Sequence, residues 1–103
     1  MTSHPQWRQF SNSYIKLLGI LDHDTVPSLW YFIKSWNFQV ENLEISLEQV
    51  AKIDSTGMVM LLHLIKHAKK KNCHILLSFV SKQLNTLFRI NKIDFIVDKH
   101  IKN

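Results

Sequence analysis

The sequence predicts an α/β domain, a mixed sheet of four to five strands with helices packed mainly on one face, and three observations carry that prediction. Leu43, Ile45 and Leu47 alternate with Glu44, Ser46 and Glu48, the period of two expected of a strand with one buried face. Val26, Leu29, Trp30 and Ile33 repeat at helical spacing, as do Met58, Leu61, Leu62, Ile65 and Ala68, and strands alternating with helices make an α/β sheet. Gly19 and Gly57 are the only glycines, and no repeat or Gly/Ser linker interrupts the 103 residues. One domain over residues 1–103, with its core at about 13–97, is therefore expected.

Taken in chain order, Gln6–Phe10 reads as a short edge strand, and Tyr14–Leu18 as a strand ending at Gly19. Thr25 is placed to cap a helix that carries Pro27 in its first turn, where a missing N–H costs little, and that runs to about Trp36. The alternating stretch Leu43–Leu47 is the clearest strand. A helix over Ser55–Lys71 follows, with oxygens of the Asp-Ser-Thr-Gly stretch at its start and Lys66, Lys69, Lys70 and Lys71 at its end, where cations complement the exposed carbonyls. His74–Phe79 reads as a further strand. Ser81 then caps a short helix bearing Leu84, Leu87, Phe88 and Ile90, and Ile93, Phe95 and Val97 alternate as a last short strand.

Composition excludes several classes. Hydrophobic residues make up 46% of the chain and charged ones 20%, which is the balance of a folded globular protein rather than a disordered one. No export signal is expected at the start, since Met1-Thr2-Ser3-His4-Pro5-Gln6 has no basic start leading into an apolar run. The longest apolar stretches, around Leu17–Leu21 and Met58–Leu62, are far shorter than the roughly 20 residues a spanning helix needs. A single cysteine, Cys73, forms no internal disulfide, which fits a reducing compartment and a small buried apolar side chain.

The net charge of +5 conceals an asymmetry. Residues 1–51 carry three basic and five acidic side chains, and residues 52–103 carry ten basic and three acidic ones. A solvated helix end accounts for Lys66, Lys69, Lys70 and Lys71. The rival account, binding of nucleic acid or anionic lipid through these lysines, predicts an affinity that falls steeply with salt.

On the long helix, a rise of 100° per residue puts Met58, Leu61, Leu62, Ile65 and Ala68 on one stripe and His63, Lys66, His67 and Lys70 opposite. Val59 and Met60 fall outside the stripe, so both are expected to be partly exposed beside Asp54-Ser55-Thr56-Gly57 and to mark a contact surface. His63 and His67 have the spacing of two metal ligands on one helix face, but no third ligand is identifiable and Lys66 and Lys70 oppose a cation. No metal and no cofactor are expected. Ser55 has no sequence neighbour that marks a general base, and no catalytic residue is assigned.

The strand Leu43-Glu44-Ile45-Ser46-Leu47, then Val50 and Ile53-Asp54-Ser55-Thr56-Gly57-Met58, the Leu-rich helix, and the Ser81-led helix resemble the STAS domain of anti-anti-sigma factors. The likeness covers roughly residues 13–97. Leu21-Asp22-His23-Asp24 running to Leu29-Trp30, and Leu61-Leu62-His63-Leu64-Ile65 with Ala68-Lys69-Lys70, resemble the MlaB group, the STAS subunits of the Mla phospholipid transporters of Gram-negative bacteria. The turn departs from the Asp-Thr-Gly-Gly of that group and is closer to sporulation and stress-response members.

The resemblance implies a non-enzymatic subunit in the cytoplasm, on the inner face of the inner membrane. It would bind the MlaF-like ATPase of an ABC transporter that moves phospholipid between inner and outer membranes and maintains outer-membrane lipid asymmetry. The transporter's permease would join the same complex, membrane association would come only through that complex, and no nucleic acid would be bound. The expected contact residues are Asp54, Ser55, Thr56, Gly57, Val59, Met60 and His63, with the 81–90 helix beside them. In anti-anti-sigma members the serine matching Ser55 is phosphorylated, so the alternative is a regulatory protein switched by phosphate on Ser55 or Thr56. A hydroxyl that only caps the helix, contributing about 1 kcal/mol, is the third account of Ser55.

Overall fold

The computed structural model describes residues 3–102; Met1, Thr2 and Asn103, which belong to the expected 1–103 span, lie outside the described residues. Strands β1 (Trp7–Ser11) and β2 (Tyr14–Leu21) are followed by helix α1 (Val26–Ser35), strand β3 (Asn42–Ile53), helix α2 (Ser55–Lys70), strand β4 (His74–Ser78), and helices α3 (Lys82–Ile90) and α4 (Asp94–Val97). A 3-10 turn at Asp98–His100 follows α4. The sheet order is β1-β2-β3-β4. β1 and β2 pair antiparallel, whereas β2 with β3 and β3 with β4 pair parallel. A parallel pair needs a long crossover, and α1 and α2 supply the two crossovers.

Alternation along the strands selects the core. Ile15 and Leu17 on β2, Leu43, Ile45 and Leu47 on β3, and Ile75 and Leu77 on β4 are buried, with Leu29, Ile33, Leu61, Leu64 and Ala68 of the helices in the same core. Their neighbours Lys16 and Glu44 turn to the other face and are only partly covered. The sheet therefore has one face under helices and one that is largely polar.

Three expectations about local structure are corrected. Thr25 occupies the position before α1 but has helical backbone angles and makes no side-chain cap. Its hydroxyl instead donates to the Ile20 carbonyl at 2.6 Å, while Asp22 Oδ1 accepts from the N–H groups of Asp24 and Thr25. β3 runs on to Ile53, more than twice the length of the alternating stretch, because its second half pairs with β2 across two register shifts and leaves Glu48, Gln49, Ala51 and Lys52 exposed.

Ile93, Phe95 and Val97 form no strand. Ile96 and Val97 donate helically to the Ile93 carbonyl, and only Val97 of the three is fully buried. The strand-like pairing falls farther on, where Ile101 bridges Leu77 in parallel and the Lys102 N–H donates to the Leu77 carbonyl at 2.8 Å. A bridge of this length does not make a fifth strand.

Candidate functional site

The Asp54-Ser55-Thr56-Gly57 turn joins the C-terminal end of β3 to α2, and its position is fixed from both sides. The Asp54 N–H donates to the Leu21 carbonyl at the end of β2. The Asp54 carboxylate accepts the Gly57 N–H at 3.1 Å, and its extended backbone makes it the N-cap of α2. The cap is thus Asp54 rather than Ser55: capping requires a non-helical residue ahead of the first turn, and Ser55 is already the first helical residue.

Gly57 is required here by space. A Cβ at that position would lie 2.5 Å from the Leu21 carbonyl oxygen and 2.7 Å from Ile53 Cγ1. Backbone oxygen cannot retreat as a flexible side chain would, so the first turn of α2 is pressed against the ends of β2 and β3.

Freed from capping, Ser55 and Thr56 are exposed, and neither hydroxyl makes a hydrogen bond among the described residues. Val59 is 42% exposed, one turn farther along α2. His63 is exposed on the same helix, its ring 6.0 Å from that of Trp30 on α1. The structure therefore gathers Ser55, Thr56, Val59 and His63 along the open side of the first half of α2, with Asp54 and Gly57 as the supports beneath.

Met60 is not among them. It is 2% exposed, and the expectation of partial exposure is corrected. The buried arc of α2 comprises Gly57, Met58, Met60, Leu61, Leu64 and Ala68, wider than the stripe read from periodicity, because α2 packs against α1 as well as the sheet. Trp30 meets the rings of both His63 and His67, and Phe38 meets His67 at 5.8 Å. Leu64, left out of the stripe, is fully buried, whereas Leu62 and Ile65 are half-buried.

His67 is a residue whose state sequence reasoning missed. Its Nε2 is buried with no hydrogen-bond partner among the described residues. Burial first, then the charges of Lys71, Lys70 and Lys34, hold its pKa below the ordinary histidine value. Among the described residues no group of three or more His, Cys, Asp or Glu is disposed to hold a metal ion. Cys73 is buried, and burial pushes its thiol pKa up.

The profile of the family described as Mlab, STAS domain, matches residues 6–98. The chain belongs to the STAS domain family. Two curated STAS relatives carry the likeness in sequence. The chain is 31% identical over 91 residues to the intermembrane phospholipid transport system binding protein MlaB of Escherichia coli K12, covering 87% of this chain and 90% of that protein. The same identity and coverage hold for the protein of that name from Shigella flexneri.

Solved STAS folds agree in architecture. The Bacillus cell fate determinant SpoIIAA in its phosphorylated form superimposes with a TM-score of 0.69 at 20% identity, over 94% of this chain and 87% of that one. A sulfate transporter family protein from Wolinella succinogenes also gives 0.69, at 18% identity, over 86% and 74%. At these identities the likeness is one of fold alone.

Proposed function

We propose that this STAS protein is a non-catalytic subunit that binds and supports the ATPase of an ABC transporter carrying phospholipid between inner and outer membranes. Its place would be on the cytoplasmic face of the inner membrane. The observation that carries the reading is the 31% identity, extending over nearly the whole of both chains, to proteins named as binding proteins of an intermembrane phospholipid transport system.

The site geometry supports a docking role. The Ser55 and Thr56 hydroxyls make no hydrogen bond among the described residues and stand at a helix start, flanked by exposed Val59 and His63, on a turn held in place because Gly57 is wedged against β2 and β3. A rigid, partly apolar projection loses little conformational entropy when a partner covers it. ATP would belong to the ATPase.

A second reading rests on the same free hydroxyl. Phosphate on Ser55 would add about two negative charges beside the Asp54 carboxylate and reshape any surface docked there, the behaviour of a regulatory anti-anti-sigma protein. Affinity purification of the tagged chain from its own cells, with the mass of the Ser55-containing peptide, separates the two. Recovery of an ABC ATPase and its permease with unmodified Ser55 is expected; recovery of a kinase-like anti-sigma factor with phosphate on Ser55 would replace the transporter reading with the switch.

A further inference from the structure

Away from the α2 turn, Phe10, Ile20, Tyr31 and Phe79 are exposed at scattered places in the sequence, whereas three further apolar residues fall close together near the end of the chain. Ile90, Phe95 and Ile96 are 70%, 74% and 51% exposed, three large side chains within seven residues. Single exposed apolar residues need no explanation, but a cluster does. Asp94 and Asp98 line the cleft between α3 and α4 together with Lys82, Arg89 and the buried Val97.

At helical spacing the opposite, outward side of α4 and the following turn carries Phe95, Ile96 and Lys99, with Lys92 just ahead. Neither Lys92 nor Lys99 pairs with a carboxylate among the described residues. Lys69, from the end of α2, shares with Lys99 a shallow cleft on the adjoining side, where Glu41 is the one acid.

We propose that this surface is a foot for an anionic bilayer, with Phe95, Ile96 and Ile90 entering the headgroup boundary and Lys92 and Lys99 meeting lipid phosphates. The inference goes beyond the docking role of the α2 turn and does not depend on it, and it adds a direct lipid contact to any held through a complex. An exposed apolar centre with unpaired Lys92 and Lys99 beside it, and Asp94 and Asp98 on the other side of α4, matches a surface that offers negative charge and an acyl boundary together. Single-stranded nucleic acid is a poorer fit, because Ile90 and Ile96 give bases nothing to stack on.

Co-sedimentation of the full chain with vesicles of phosphatidylglycerol and phosphatidylethanolamine, against vesicles of phosphatidylcholine alone, tests this. The anionic vesicles are expected to carry the chain down and the neutral ones to leave it in solution. The double variant Phe95→Asp/Ile96→Asp should lose binding, and Lys92→Glu/Lys99→Glu should weaken it by about tenfold or more, given a contribution of about one power of ten for each one to two lysines.

Because all four positions are solvent-exposed, the variants should keep the wild-type circular dichroism. As a check independent of them, Ile96→Cys labelled with an environment-sensitive dye, with Cys73 buried and unreactive, should shift to the blue on anionic vesicles. Wild type that stays in solution with both vesicles, equal binding to phosphatidylcholine, or variants that bind like wild type would each overturn the proposal. So would a dimer in sedimentation velocity that Phe95→Asp disperses, which would assign the patch to a second copy, or tight capture of a single-stranded oligonucleotide through the same lysines.

Discussion

The two ends of α2 are both at the surface, yet they are built in opposite ways. At its start, Asp54 is hydrogen-bonded to Leu21 of β2 and to Gly57 of α2, Gly57 is pressed against the Leu21 backbone, and exposed hydroxyls stand on a fixed frame. At its end, Lys66, Lys69, Lys70 and Lys71 are exposed and make no ion pair among the described residues. Long cations at a helix C-terminus need only water and the carbonyl partial charges. Position is fixed at the end that we propose meets a partner and left free where only solvation is needed.

Variants along α2 sharpen that contrast. The largest effect belongs to Met60→Asp, which would bury an unpaired carboxylate against α1 and the sheet; a loss of about 4 kcal/mol or more, seen as a collapsed thermal transition, is expected. Met60 is therefore no probe of the interface, and Val59→Asp takes its place. Gly57→Ala comes next. The added methyl meets the Leu21 carbonyl oxygen, and chemical denaturation should show about 1 to 3 kcal/mol of destabilisation.

Asp54→Ala removes the cap of α2 and should cost about 1 kcal/mol by the same measurement. Lys66→Gln and Lys70→Gln at the solvated end should stay within about 0.5 kcal/mol of wild type. Ser55→Ala should be equally silent in stability, since its hydroxyl is unbonded.

Acidity should act away from the Asp54–Gly57 turn. Burial lowers the pKa of His4, His67 and His100 in the folded chain. His100 is stacked on His74 at 4.6 Å and its Nδ1 lies 2.9 Å from the Ile75 carbonyl oxygen, with Lys99 and Lys69 also disfavouring its charge. A lowered histidine pKa means that the unfolded chain binds more protons between the folded and the ordinary value. The stability these residues contribute is complete above the ordinary value of about 6.5 and declines as pH falls through it toward the lowered folded values. Melting temperatures measured from pH 8 down to pH 5 should fall accordingly; a flat profile would mean that these rings are solvated.

Much of this was legible in the sequence, for identifiable reasons. Strands with one buried face and helices with caps announce themselves, as at Leu43–Leu47 and at Ser81, whose hydroxyl accepts the Leu84 N–H as expected. The second half of β3 was hidden because, beyond the last pairing with Ser78 of β4, it pairs on one side only. Ile93, Phe95 and Val97 misled because alternation over three positions does not distinguish a strand from a helical turn with one buried residue. Met60 misled because a helix wheel assumes one packing partner, and α2 packs against α1 and α3 as well as the sheet. The turn itself was legible as a motif, but the division of labour within it, with Asp54 as cap and Ser55 as free hydroxyl, required backbone geometry.

On the proposed reading, the fixed end of α2, and not its solvated end, meets the ATPase. Amide hydrogen exchange of the chain alone and bound to the purified ATPase tests it most directly, because Ser55 and Thr56 at the helix start have no intrahelical acceptor for their N–H groups. Slowed exchange at Ser55 and Thr56 on binding, with Lys70, Lys71 and Asn72 unchanged, is the predicted result. Protection confined to Lys70–Asn72, with the turn exchanging as in the free chain, would contradict it.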